Sequence, residues 1–382
     1  MKTMLALLRF LLKGTDIPES VRAGFTEEEA KALYQLANRY DLAHLVGAAA
    51  IESGLPLPPE IKEKFLRKQQ IAFARSVTLE YELESAGALL SKAEIPYIPL
   101  KGAVVCREYP ERWMRTSSDL DILIHPEDMK RASELLKQEG GFVREGETGH
   151  DVSFCTPGKV HFELHFDLIE EGHANSAGEV LRDVWSSAQR KEGFRYELDD
   201  PMFYFYHIAH MAKHTQDGGC GVRPFLDLWI LNRRENADTE GRRLLLERGG
   251  LARFAEVAEH LSAVWMEEAE PDEDTSSLES FLENGGTYGS LKNRVAVFAV
   301  KRESRLMHIW KRIFLPLPEL KAENPILRKH PWLAPAIQVR RWLRLIFGKR
   351  LKRSFREISI SANLTDEELK KVEDCLSRIG LQ

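Results

Sequence analysis

The chain has 382 residues, 43% hydrophobic and 30% charged, a balance that excludes collagen-like, low-complexity and wholly disordered chains and leaves material for a sizeable core. Its formal net charge of −5 averages two unlike regions, because residues 289–357 carry 18 Lys and Arg against 4 Asp and Glu while the rest is acidic. Four cysteines (Cys106, Cys155, Cys220 and Cys375) form no C-x-x-C pair and no zinc-knuckle spacing, the pattern of reduced thiols.

At the N-terminus the apolar run Met4 to Leu8 is too short to span a bilayer, and no small-residue cleavage site follows it. With nothing elsewhere approaching a transmembrane length, no transmembrane segment is predicted and a cytoplasmic location is expected. Residues 1–92 are predicted helical. Thr26 with Glu29 forms a capping-box signature, after which Leu33, Leu36, Ala37 and Tyr40 recur at helical spacing. A longer amphipathic helix is predicted from about Pro59 to Lys92.

The period then changes. Ile95 to Leu100, with two prolines, fits a short strand that stops at Lys101-Gly102. A helix from Ala103 to Glu108 and a loop containing Arg112 and Arg115 lead to the strand Asp119–Ile124. The helix Pro126–Glu139 ends at Gly140-Gly141. Strands are predicted at Val152–Phe154 and Val160–Asp167, separated by the turn Pro157-Gly158. Asp200 caps and Pro201 opens a helix to about His214, and a further helix is expected from Arg223 to Asn232. The acidic stretch Glu267–Asp274 suits a solvated loop, and the basic C-terminal part is expected as short helices broken by prolines. The predicted class is α+β, a small mixed-sheet core embedded between helical regions. The expected organisation is an N-terminal helical region over 1–92, an α/β core over 93–195, a helical domain over 196–290 and a basic helical region over 291–382.

The chemistry-bearing signal is Asp119-Leu120-Asp121. Residues two apart on a strand share a face, so both carboxylates project together with Leu120 and Ile122 on the other side. Two like charges so close call for a cation, and oxygen ligands suit Mg²⁺. His161, Glu163, His165 and Asp167 alternate in the same way against Val160, Phe162, Leu164 and Phe166. If the two strands are neighbours, Glu163 completes a three-carboxylate cluster. Lys101-Gly102 lies where a strand turns into a helix, a geometry that receives phosphate, and the arginine loop adds phosphate-binding potential.

Leu100-Lys101-Gly102, Tyr109-Pro110, Arg115, Ser118-Asp119-Leu120-Asp121 and Phe162-Glu163-Leu164-His165 together resemble the signature of a bacterial nucleotidyltransferase family within the polymerase-β-like superfamily. His210 to His214 with Phe225 to Leu228 resemble its later helices. The resemblance covers about residues 25–235. It implies a polymerase-β-like core and transfer of a nucleoside monophosphate from an NTP to an acceptor by a two-metal mechanism, with pyrophosphate released. On that reading Asp119, Asp121 and Glu163 are the catalytic and metal-binding residues for Mg²⁺ (or Mn²⁺), with Glu163 helping to deprotonate the acceptor. Lys101, Gly102, Arg115, Ser117, Ser118, His210, Lys213 and His214 are the expected nucleotide-binding residues. The superfamily carries Gly-Ser at the turn where this chain has Gly102-Ala103, so Ser117 or Ser118 is required to replace the missing hydroxyl.

The acceptor is a small molecule, glycan precursor, peptide or protein. A catalytically degenerate nucleotide-binding or scaffold protein of a biosynthetic complex is the alternative, and an RNA-modifying transferase is disfavoured by the near-neutral total charge. His207, His210 and His214 share a helical face, which suits either a metal site or a packed cleft wall. Asp227 suits either orientation of one of those histidines or a buried ion pair. The basic segment, with Trp310, Trp332, Trp342, Phe347 and Phe355, is expected to serve as a lid or docking region for the acidic body or as a surface for an anionic partner. Arg340 to Arg356 alternatively forms a helix that lies on anionic lipid.

Overall fold

A computed structural model describes residues 1–168, 176–283, 285–286, 289–301, 314–317, 320–321, 324, 326–347, 360 and 363–381. The chain forms two compact units, one of residues 1–211 with 222–272 and the other of residues 212–221 with 273–382.

The first unit opens with helices α1 (Lys2–Lys13), α2 (Glu19–Ala23), α3 (Glu27–Arg39), α4 (Ala43–Glu52) and α5 (Pro59–Lys92). The apolar run at the N-terminus is the buried stripe of α1. Thr26 and Glu29 close the predicted capping box at the start of α3. Helix α4 is buried from Ala43 to Ala50, as a helix that is apolar on all sides must be. It packs closely on α5 because Gly47 has no side chain; a Cβ there would lie 2.6 Å from that of Phe65. His44 Nε2 on α4 donates to the carbonyl of Met114 at 3.1 Å, tying the helical layer to the arginine loop.

The sheet has seven strands: β1 (Tyr97–Pro99), β2 (Asp119–Ile124), β3 (Val143–Glu147), β4 (Asp151–Cys155), β5 (His161–His165), β6 (Ala188–Glu192) and β7 (Arg195–Leu198), in the order β3-β4-β5-β2-β1-β7-β6. It is mixed, with β2 parallel to β5 and β1 parallel to β7. Helix α6 (Gly102–Val105) follows β1 and α7 (Met129–Gln138) follows β2. One sheet face is apolar: Leu120, Ile122, Phe154, Phe162 and Leu164 pack with Leu83, Ala86 and Leu90 of α5 and Ala132 and Leu136 of α7. Phe162 meets Phe142 edge-on at 5.2 Å. Both edge strands are charged on their exposed positions and carry an irregularity in their ladders, between Arg144 and Gly146 in β3 and between Arg190 and Glu192 in β6. Helices α8 (Ser176–Arg182), α9 (Asp200–Gln216), α10 (Arg223–Leu231), α11 (Thr239–Arg248) and α12 (Ala252–Glu267) follow.

The second unit takes the end of α9 with α13 (Glu273–Glu283), α14 (Leu291–Lys301), α15 (Ile326–Lys329), α16 (Ala334–Phe347) and α17 (Asp366–Arg378). A small core there joins Val295 and Ala296 to Leu364. Trp332 is exposed and Trp342 meets Phe314 edge-on. Trp310, Phe355 and residues 348–356 of the expected surface helix lie outside the described residues. No described helix is long and apolar enough to cross a membrane.

Phe162→Ala empties a ring's volume from the sheet core and should cost about 3–5 kcal/mol in urea unfolding, whereas His161→Ala on the opposite face should cost less than about 1 kcal/mol. Burial holds His44 at about 4 from an ordinary 6.5, with the Met114 carbonyl opposing the shift. Its neutral form therefore contributes about 3 kcal/mol above pH 6.5. That contribution is lost as pH falls from 6.5 towards 4, where the folded-state ring begins to take up its proton. A pH series of denaturation midpoints should show the slope, and His44→Gln should flatten it.

Candidate active site

β2 and β5 are parallel neighbours in a register that sets Asp119 opposite His161 and Asp121 opposite Glu163. Registered partners share a face, so Asp119, Asp121, His161, Glu163 and His165 line one side of the sheet while the core residues fill the other. Asp121 is buried, Asp119 and Glu163 are half-buried, and the polar side is therefore partly covered rather than a fully solvated surface.

The charges are closely interlocked. Lys101 Nζ donates to Asp121 Oδ1 at 2.6 Å, and His165 Nε2 donates to the same oxygen at 2.9 Å. His165 Nε2 also stands 3.3 Å from Glu163 Oε2, and His161 bridges Glu163 to Glu145. Burial works against the Asp121 charge, but the Lys101 ammonium and the His165 ring outweigh it and hold the carboxyl well below its usual range. Asp119 is pushed up, first by burial and then by the Asp121 charge. Burial likewise opposes a charged His165, yet its hydrogen bonds to Asp121 and Glu163 raise it to about 9. Lys101 has a backbone φ of 47° and ψ of −125°, a conformation that costs a non-glycine residue about 1–3 kcal/mol and persists only where its surroundings fix it.

Asp121, Glu163 and His165 each offer a ligand atom, all within 4.8 Å of one another. Oδ2 of Asp121 accepts no hydrogen bond from the described residues, and the carboxylate oxygens suit a hard divalent ion such as Mg²⁺ or Mn²⁺. Asp119 adds a third carboxylate on the same face, its Oδ1 accepting from Ser117 Oγ at 2.8 Å.

The turn after β1 supplies a cradle. A Cβ on Gly102 would lie 3.0 Å from Ser117 Oγ and 3.3 Å from Arg115 Nη1. Ser117 Oγ therefore lies close beside Gly102. Arg75 of α5 fixes this loop, donating to the carbonyls of Ser117 (3.3 Å) and Ser118 (2.6 Å). Ser118 itself is exposed.

Arg115 is placed differently from the expectation. Its Nε and Nη2 donate to Asp227 at 2.8–3.0 Å, its Nη1 donates to the Thr116 carbonyl, and the Tyr109 hydroxyl donates to Asp227 at 2.8 Å. Asp227 is buried in α10 and needs a counter-charge, which Arg115 supplies; only the Nη1 edge borders the cradle. Asp227 accordingly takes the ion-pair role rather than orienting a histidine through a hydrogen bond. Arg112 pairs with Glu80.

On α9, His207 is tied through Nε2 to the Pro224 carbonyl at 3.0 Å, so it is packed rather than poised as a ligand. His210 lies 6.3 Å, ring to ring, from Tyr206. Tyr206 is a site residue that the sequence reading missed. It is buried in the field of Lys101, Asp121, Glu163 and Asp119, and burial above all pushes its hydroxyl up, with Lys101 opposing. Its spacing of four from His210 is the signal that could have found it. Lys213 and His214 are half-buried on the last turn of α9, in the stretch assigned to the second unit.

Residues 26–267, well over half of the chain, match a family model described as uncharacterised nucleotidyltransferase. No curated protein and no solved structure matches the chain.

Asp227→Ala should strand a buried guanidinium and cost about 3–5 kcal/mol in chemical denaturation. The double change Arg115→Met with Asp227→Leu should recover most of that loss, because neither buried charge then remains.

Proposed function

The chain belongs to this nucleotidyltransferase family, and from that premise we propose that it transfers a nucleoside monophosphate from an NTP to an acceptor by a two-metal mechanism. The observation that carries the reading is the register pairing of Asp121 with Glu163, with Asp119 on the same face. Asp119, Asp121 and Glu163 would hold Mg²⁺ or Mn²⁺, which when bound offsets charge on the reacting phosphoryl oxygens. In the transfer, an acceptor oxygen or nitrogen bonds to the α-phosphorus, the bond from that phosphorus to the β-phosphate bridging oxygen breaks, and pyrophosphate leaves. Glu163, the more open carboxylate of the registered pair, takes the proton that the acceptor sheds. Gly102 lets the triphosphate approach the backbone, with Ser118 and, on turning its hydroxyl away from Asp119, Ser117 as donors and Lys101 and the Nη1 edge of Arg115 as positive charge. His210 is proposed to face the nucleotide. The acceptor is a small molecule, a glycan precursor, a peptide or a protein.

One observation favours a second reading. The ammonium of Lys101 already neutralises Asp121, which would suit a nucleotide-binding protein with a fixed side-chain charge in place of a metal ion. That protein would bind NTP or scaffold a biosynthetic complex without turnover.

Incubation with α-labelled NTP, Mg²⁺ or Mn²⁺ and acceptor mixtures distinguishes the two. The transferase should release pyrophosphate, and Asp119→Asn and Asp121→Asn should each lower the rate by ~10²–10³-fold or more. Binding that survives both substitutions, with no pyrophosphate from any NTP, establishes the second reading. Under either reading Gly102→Ala crowds the cradle and should weaken NTP binding about tenfold, or about 1.4 kcal/mol, in equilibrium dialysis.

A further inference from the structure

His150 and Asp151 stand beside the carboxylate face, next to His165, and nucleotidyl transfer as proposed uses neither of them. His150 precedes β4, Asp151 opens it, and Asp151 is the register partner of His165 at the end of β5. We propose that His150, Asp151 and His165 form a second metal site, selective for a borderline divalent transition ion, with Zn²⁺ as its probe. The proposal is independent of the transferase reading.

Three observations carry it. The potential ligand atoms of the three residues all lie within 4.8 Å of one another, close enough for one ion to draw them together. The second concerns His165, whose ring is buried and whose Nε2 is committed to Asp121, while its Nδ1 is buried with no hydrogen-bond partner among the described residues. A buried polar atom left in that state costs about 1–3 kcal/mol, and metal coordination is one way to satisfy it. A carboxylate behind one imidazole nitrogen is also the usual backing for coordination through the other, since it fixes the tautomer and raises ligand basicity.

The third is the arrangement around His150. Its Nδ1 lies 3.1 Å from Thr148 Oγ1, which in turn donates to Asp151 Oδ2 at 2.8 Å. Its Nε2 stands 3.1 Å from Asp151 Oδ2, which sets the ring and the carboxylate side by side at the mouth of the group. Two imidazoles and one carboxylate form a ligand set for Zn²⁺ and related ions, with positions left open for water or substrate. The oxygen-rich set of Asp119, Asp121 and Glu163 differs in kind. His150 is part-exposed, with 18% of its side chain accessible, which gives the ion a way in.

The site would have a positioning role, because the His165 ring that it grips through one nitrogen holds Asp121 with the other. The test uses the full chain, stripped with chelator and titrated with Zn²⁺ by calorimetry without nucleotide or Mg²⁺. One ion per chain is expected. His150→Ala and Asp151→Asn should each weaken binding by ~100-fold or more, given that even supporting residues of metal sites are worth about 10–100-fold. Glu163→Gln and Asp119→Asn should leave the affinity within about threefold. Absence of stoichiometric binding overturns the proposal, as does full affinity in His150→Ala. So does loss of affinity in Glu163→Gln alone, which would put the ion on the carboxylate face. X-ray absorption at the zinc edge of the wild-type chain keeps the test decisive should a variant fail to fold. Two imidazoles with oxygen support the site, and sulfur or oxygen-only shells overturn it.

Discussion

The parallel pairing of β2 with β5 is the constraint from which the rest of the site follows. A one-residue slip in that ladder would send Asp121 into the phenylalanine-lined core and bring Leu120 or Ile122 to the cleft. The apolar face therefore protects the polar one: Leu120, Ile122, Phe162 and Leu164 can be buried against α5 and α7 only in the register that brings Asp121 opposite Glu163. Packing energy, which is indifferent to chemistry, thereby places carboxylates that would not otherwise associate.

Such a placement is tolerable only with compensation, and the fold supplies it from separate parts of the chain. Lys101 reaches Asp121 from the turn after β1, and His165 reaches it from β5 itself. A second compensated charge lies nearby, where Arg115 and Tyr109 enclose Asp227 and fix the loop that carries Ser117 and Ser118 to α10. Arg75 secures the same loop from α5. The cradle beside Gly102 is thus supported on two sides before any ligand arrives, the preorganisation that keeps a binding loop from losing affinity to its own ordering.

Much of this was legible in the amino-acid sequence, and the exceptions have physical causes. Asp119–Ile124 and His161–His165 alternate so regularly that their two faces could be assigned from side-chain type alone, and the capping box at Thr26 marked its helix directly. The charged strand β6 and its partner β7 were not foreseen, because Gln189, Arg190, Lys191 and Glu192 carry no apolar alternation. Helix α4 gave no periodic signal because nearly every position in it is buried. The partnership of Arg115 with Asp227 spans 112 residues of sequence, and neither residue's neighbours specify the other. Tyr206 went unnoticed among the aromatic residues at the start of α9, most of which are simply core. Local pattern reveals faces and caps, whereas long-range electrostatic pairing depends on a topology that single-sequence periodicity does not contain.

The two outermost strands bear on how the molecule behaves in a crowded solution. An open sheet ends in rows of unpaired peptide groups that invite a further strand from another chain. Here β3 offers Arg144, Glu145 and Glu147 at one margin and β6 offers Arg190, Lys191 and Glu192 at the other, each margin bent by its ladder irregularity. Stacking a neighbour onto either side would press charges together along a kinked rail, so the sheet resists edgewise polymerisation.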